Sequence, residues 1–289
     1  MPNGNSSRGY PPGGHAAISG AFTPGAGNPL AFLVDADNAS SSVVRELLEE
    51  AAKYGTVIIR RVYGDWTSPY LTTWKTVLQD HALTPIQQFA NASGKNATDS
   101  ALIIDAMDIL HEKVVGGFCI VSSDSDYTRL ATRIREEGLF VIGMGRANTV
   151  AAFKNACNVF VSVENLALDR VGSTPQAPRS GGREKQTSTQ PVSKGEKKRG
   201  PPLPTLPAQK PVLDAVPTLR KAFDTVVEDD GRAHLAEVGT ALLKLDPAFD
   251  SRTFGYTRLV SLVESLPEIF IVERVTERGP STIYIRLKE

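Results

Sequence analysis

"GFCIVSSDSDYTRLATRIREEGLFVIGMG", residues 117–145, decides the fold of the first half of the chain. It opens and closes on apolar runs rich in β-branched and aromatic residues, with an amphipathic helical pattern, YTRLATRIREEG, between them. Two short strands hydrophobic on both faces and joined by a helix predict a parallel pair inside a covered sheet. Asp124 and Asp126 stand where the first strand gives way to the helix. Ligand sites of such sheets lie at the carboxyl ends of the strands, so the two acids sit where chemistry is expected.

The same grammar extends outward. AFLVDAD (31–37), TVIIRRVYG (56–64) and TPIQQFA (84–90) predict three further strands, separated by the helical patterns SVVRELLEEAAKYG, YLTTWKTVLQDHA and TDSALIIDAMDILHEKV. The expected fold is α/β, a parallel sheet with helices on both faces. Strand 1 brings Asp35 to the carboxyl rim, with Asp37 and Asn38 just beyond, and Asp99 opens the third helix. Each has an ordinary reading, since Asn38, Asp99 and Asp126 are residue types that cap helices. Asp65, in GDWTSP, fits a polar turn as well as a metal ligand. Capping explains less well why two strands end in Asp at one rim, because neighbouring carboxylates repel unless a positive charge lies between them. A hard divalent cation, which takes oxygen ligands, removes the conflict. No loop cysteine or strand-end histidine offers a nucleophile, so metal-assisted chemistry on phosphate is the expected reaction class.

Composition bounds the rest. The 289 residues are 41% hydrophobic, enough for a substantial core and more consistent with two domains than one. The apolar runs are strand-sized, short of the ~20 residues of a membrane span, and the polar start lacks a signal-peptide pattern. Cys119 and Cys157 both lie in apolar stretches, which argues against a disulfide framework and for a reducing cytoplasm. Lys+Arg and Asp+Glu are equal at 32 each, so net charge says nothing of nucleic acid. Residues 1–28, rich in Gly, Pro and Ser, are expected to form a disordered tail. Between Val171 and Pro211, eight basic residues face two acids among many prolines and serines. This predicts a basic disordered linker over 169–211, a spacer that can also grip phosphates through charge. Folded domains are expected over 29–168 and 212–289.

LVDADNA (33–39), GKNATDSALIIDAMDIL (94–110) and VSSDSDYTRLATRIREEGLFVIGMG (121–145) resemble the signature blocks of the NYN domain, a family of PIN-like nucleases. VAAFKNACNVFVSVENL (150–166) is similar to that family's closing helix and strand. The resemblance implies a PIN-like fold with an acidic pocket that hydrolyses RNA phosphodiesters using Mg²⁺ or Mn²⁺. Carried over by position, the catalytic set is Asp35, Asn38, Asp99, Asp124 and Asp126, the four acids being the metal ligands. Ser123 replaces a usual Gly, and Asn158 stands where an Asp is common. From the residues, Lys95 in ASGKNATD and Arg146 in GMGRANT are candidates for binding substrate phosphate, or are solvated loop cations. Two competing readings are weaker: the DAD at 35–37 lacks the Gly-Thr that follows it in haloacid-dehalogenase phosphotransferases, and no GxGxxG opens the sheet.

The last segment has another pattern. LRKAFDTVVEDDG, LAEVGTALLKLDP and FGYTRLVSLVESLP predict three helices, and IFIVERVTERGPSTIYIRL a hairpin turning at Arg278-Gly279-Pro280. Three helices and a wing make a winged helix-turn-helix. GRAHLAEVGTALLKLDPAFDSRTFGYTRLVSLVESLPEIFIVE resembles the OST-HTH/LOTUS domain, which implies RNA binding or, in some members, protein binding. His234 or Ala236 stands at a helix start where that family often has Ser. Lys244, Arg252, Arg258 and Arg278 are candidates for a phosphate-facing surface. The combined expectation is a cytoplasmic metal-dependent ribonuclease whose C-terminal domain recruits RNA; the alternative is a non-catalytic RNA- or protein-binding adaptor. Tethering a weak binder to a weak nuclease raises local substrate concentration to roughly millimolar.

Overall fold

The computed structural model describes residues 25, 27–89, 97–166, 209–276 and 282–288. The expected N-terminal tail and basic linker lie almost wholly outside the described residues, as do Lys95 and the hairpin turn at Arg278.

Six strands form one parallel sheet: β1 (Pro29–Asp35), β2 (Thr56–Gly64), β3 (Thr84–Gln87), β4 (Gly117–Val121), β5 (Phe140–Gly145) and β6 (Val159–Ser162), in the order β3-β2-β1-β4-β5-β6. The central strands are the most apolar, and β4 is buried along its whole length because helices cover both faces. Strand alternation divides the core. Leu30, Phe32 and Val34 pack with α1 (Val44–Ala52) and α2 (Trp74–Asp80) through Val44, Leu47 and Trp74. Ala31 and Leu33 pack on the opposite face with α3 (Ala97–Glu112), α4 (Thr128–Glu136) and α5 (Ala151–Ala156). Asp35 continues the second series and so falls on the α3–α4 face.

The chain runs outward from β1 to β3 on one side, then crosses back to β4 and runs outward on the other. The reversal opens a crevice between the carboxyl ends of β1 and β4, the usual position of a site in open α/β sheets. Gly145, at the end of β5, is needed there: a Cβ on it would lie 2.4 Å from the Ser122 carbonyl oxygen.

The C-terminal residues form a winged helix-turn-helix around α6 (Val216–Val226), α7 (Leu235–Leu245) and α8 (Leu259–Glu264). The hairpin of β8 (Phe270–Val275) and β9 (Thr282–Leu287) gains a third strand, β7 (Arg232–His234), paired antiparallel to β9. The predicted third helix is shorter than its pattern: a 3-10 turn, Ser251–Phe254, ends at Gly255 with φ +88°, and α8 starts only at Leu259. His234 occupies the position before α7 without a side-chain cap.

Candidate active site

The rim is organised by short hydrogen-bonded links between neighbouring strand exits. Asp35, fully buried at the end of β1, accepts the Asp37 N–H at Oδ1 (3.1 Å) and, at Oδ2, Asn38 Nδ2 (2.7 Å) and Ser122 Oγ (3.0 Å). Ser122 Oγ in turn accepts the Asp124 N–H at 3.1 Å, so one hydroxyl joins the exits of β1 and β4. Oδ2 of Asp35 is saturated, and among the described residues Oδ1 keeps one lone pair for another partner. Burial pushes the Asp35 carboxyl up to about 6; the Asn38 bond opposes this, and the Asp99 charge adds to it.

Asp99 lies in the first turn of α3, where its Oδ1 accepts the Tyr127 hydroxyl at 2.7 Å. Its carboxyl is raised as well, by burial first, with Tyr127 opposing and Asp124, Asp126 and Asp37 contributing. Carboxylate oxygens of Asp99, Asp124 and Asp126 all lie within 4.8 Å of one another. An oxygen-only donor set of this density fits a hard divalent cation such as Mg²⁺ or Mn²⁺.

Asp124 and Asp126 do not converge by strand alternation. Asp124 is extended, and Ser125 already begins a 3-10 turn, Ser125–Tyr127. Asp124 is that turn's cap, its Oδ1 accepting the Asp126 N–H at 2.9 Å, so the capping expected of Asp126 belongs to Asp124. The turn brings the two carboxylates together and buries Tyr127 beneath them. Asn38 is not a helix cap either; it orients Asp35.

The remaining predicted residues divide. The Arg146 N–H donates to Ser123 Oγ at 2.9 Å, which holds Arg146 beside the Asp124 exit. Asp65 accepts from Thr67 within a turn, as its sequence context suggests, and from Gln87 at the end of β3. Asn158 Oδ1 accepts the Val141 N–H at the opposite end of β5, so it braces the sheet away from the rim. Arg252 is buried in an ion cluster and is not a phosphate-facing cation, whereas Lys244 and Arg258 are exposed. Ser122, Thr98 and Tyr127 carry rim contacts that the sequence reading did not assign; Thr98 Oγ1 donates to Asp37 Oδ2 at 2.9 Å. Their signal is adjacency, because each stands next to or within an acid-bearing block.

The NYN domain family matches residues 29–165, and the OST-HTH/LOTUS domain family matches residues 211–282. The chain carries an NYN domain followed by an OST-HTH/LOTUS domain. The six-stranded sheet is the PIN-like α/β fold of the NYN domain. NYN is a nuclease-type domain, and OST-HTH/LOTUS domains bind RNA. Among solved structures, a Vibrio parahaemolyticus protein of unknown function is 18% identical over 47% of this chain and 93% of its own, with a TM-score of 0.40. An uncharacterized Nitrosomonas europaea protein is 28% identical over 37% of this chain and 92% of its own, with a TM-score of 0.24. No curated protein matches the chain. Among the described residues, no helix is long and apolar enough to cross a membrane.

Proposed function

We propose that the protein is a metal-dependent ribonuclease that hydrolyses RNA phosphodiester bonds at the NYN rim, with the OST-HTH/LOTUS domain recruiting the RNA. The observation that carries this reading is the trio Asp99, Asp124 and Asp126, whose oxygens lie within 4.8 Å of one another beside the buried Asp35. These four acids would hold Mg²⁺ or Mn²⁺, which supplies a lowered water pKa and neutralises charge on phosphoryl oxygens. Asn38 and Ser122 hold Asp35 in one orientation, and Tyr127 does the same for Asp99. Lys95 and Arg146 bind substrate phosphate in this reading.

The domain limits 29–168 and 212–289 are part of the proposal. Cys119 and Cys157 are free and buried, which fits a reducing compartment, and the reading assigns the protein to the cytoplasm. The test is incubation of the purified protein with mixed RNAs and DNAs in Mg²⁺ or Mn²⁺, then with chelator. Cleavage restricted to RNA and stopped by chelator is expected. Tight RNA binding without cleavage in either metal would favour an adaptor, and no RNA binding at low salt would favour a protein partner for the C-terminal domain.

A further inference from the structure

Glu50 is the least expected residue on α1. It lies in the last turn, where the helix dipole disfavours an anion, yet it is only 4% exposed. Its compensation comes from a residue 202 positions away: Arg252 Nη1 donates to Glu50 Oε2 at 3.0 Å and Nη2 to Oε1 at 3.3 Å. Lys53 adds a bond to Oε2 at 2.7 Å. On its other side Arg252 Nε donates to both oxygens of Asp250, at 3.0 and 2.9 Å. Arg252 is therefore buried between an acid of its own domain and an acid of the NYN domain.

Further contacts surround this cluster. Asn165, just past β6, donates through Nδ2 to Asp250 Oδ2 and Thr253 Oγ1, both at 3.0 Å. The Phe160 N–H of β6, the edge strand, donates to the Pro247 carbonyl at 2.7 Å, so the C-terminal domain covers a sheet edge that would otherwise lie open. Leu243 packs against one core cluster of the NYN sheet and Ala248 against the other. Domains joined by a linker are expected to move relative to one another unless their interface is substantial. The two Arg252–Glu50 bonds, the Phe160–Pro247 bond and the packing of Leu243 and Ala248 would all have to be given up for the domains to part, and together they form such a restraint.

We propose that the OST-HTH/LOTUS domain is latched to the β6 edge of the NYN sheet as one rigid body, with Arg252 as the latch between Asp250 and Glu50. RNA held by the C-terminal domain then reaches the acid rim from one fixed direction, a consequence that rests on the proposed function, while the latch itself does not. The docked surface sets the geometry.

The test is amide hydrogen exchange on the full chain without RNA or metal, so it is read independently of any nuclease activity. The latch predicts that the Phe160 amide exchanges roughly 100-fold or more slowly than an open strand edge. Glu50→Lys, which sets a cation against Arg252 from the NYN side, should release Phe160 while the Phe32 and Ile120 amides of the inner sheet stay protected. Arg252→Met should do the same from the other side. Fast exchange at Phe160 in the wild-type chain, or a Phe160 amide that stays protected in both variants, overturns the latch.

Discussion

The Tyr127 hydroxyl donates to Asp99 Oδ1 across 2.7 Å and so ties the turn after β4 to the first turn of α3. Two elements that meet the rim from different directions are held in register by one phenol. Groups that orient metal ligands in this way typically matter 10–100-fold to metal affinity or activity. Tyr127→Phe should therefore raise the Mn²⁺ concentration needed for half-maximal RNA cleavage by roughly 10–100-fold while the protein stays folded. A metal titration of the cleavage rate, with circular dichroism as the folding control, checks it.

Asp124 has two tasks that substitution can separate. Asn caps a turn about as well as Asp, so Asp124→Asn should lower cleavage by orders of magnitude while stability changes by less than about 0.5 kcal/mol. Asp124→Ala should show the same loss of cleavage and a further cost of about 1 kcal/mol from the missing cap. Asp126→Asn should likewise lower cleavage by orders of magnitude, since it removes one of the three clustered carboxylates. Urea unfolding beside single-turnover cleavage reads both quantities.

Asp35 predicts a pH dependence in the metal-free protein. Its carboxyl stands at about 6 when folded against 3.8 in the ordinary case, so between those values the folded chain binds more proton than the unfolded one. Stability consequently falls as pH rises through this window, by about 3 kcal/mol once both states are ionised. Chelator-treated protein should lose stability across the window and recover much of it on adding Mn²⁺. In Asp35→Asn the fall should shrink, leaving the share that the raised Asp99 carboxyl contributes, and cleavage should be lost.

Much of this was legible in the sequence, for identifiable reasons. The buried strands announce themselves because β1 and β4 are apolar on both faces, with Asp35 as the last residue of β1 and Asp124 three residues past the end of β4. The three-residue β7 is too short for any alternation to register, and α8 is cut back because Gly255 adopts a left-handed conformation within the helical pattern. The convergence of Asp124 and Asp126 depends on a 3-10 turn that spacing alone does not distinguish from a continued strand. Arg252 reads as a surface cation because the acid that buries it, Glu50, is far off in sequence and lies in another domain.

The exposed cations of the winged-helix domain should behave differently from Arg252. Lys244→Ala and Arg258→Ala should each weaken RNA binding across sequences and reduce the salt slope of log affinity by about 1 or less. Fluorescence anisotropy at several salt concentrations measures this. Arg252→Ala should instead lower thermal stability, because it leaves the buried Glu50 without its guanidinium partner.

The central claim is that the acid rim, when it holds a divalent ion, cleaves RNA. Its most direct test is the single-turnover rate on labelled single-stranded RNA as Mn²⁺ is varied, for the wild-type chain and for Asp99→Asn. That substitution preserves the acceptor for Tyr127 and removes only the charge. The account predicts metal-dependent cleavage abolished by chelator in the wild type, and a rate lower by at least about 100-fold in Asp99→Asn at every Mn²⁺ concentration. Equal rates in the two proteins, or cleavage that persists in chelator, would contradict it.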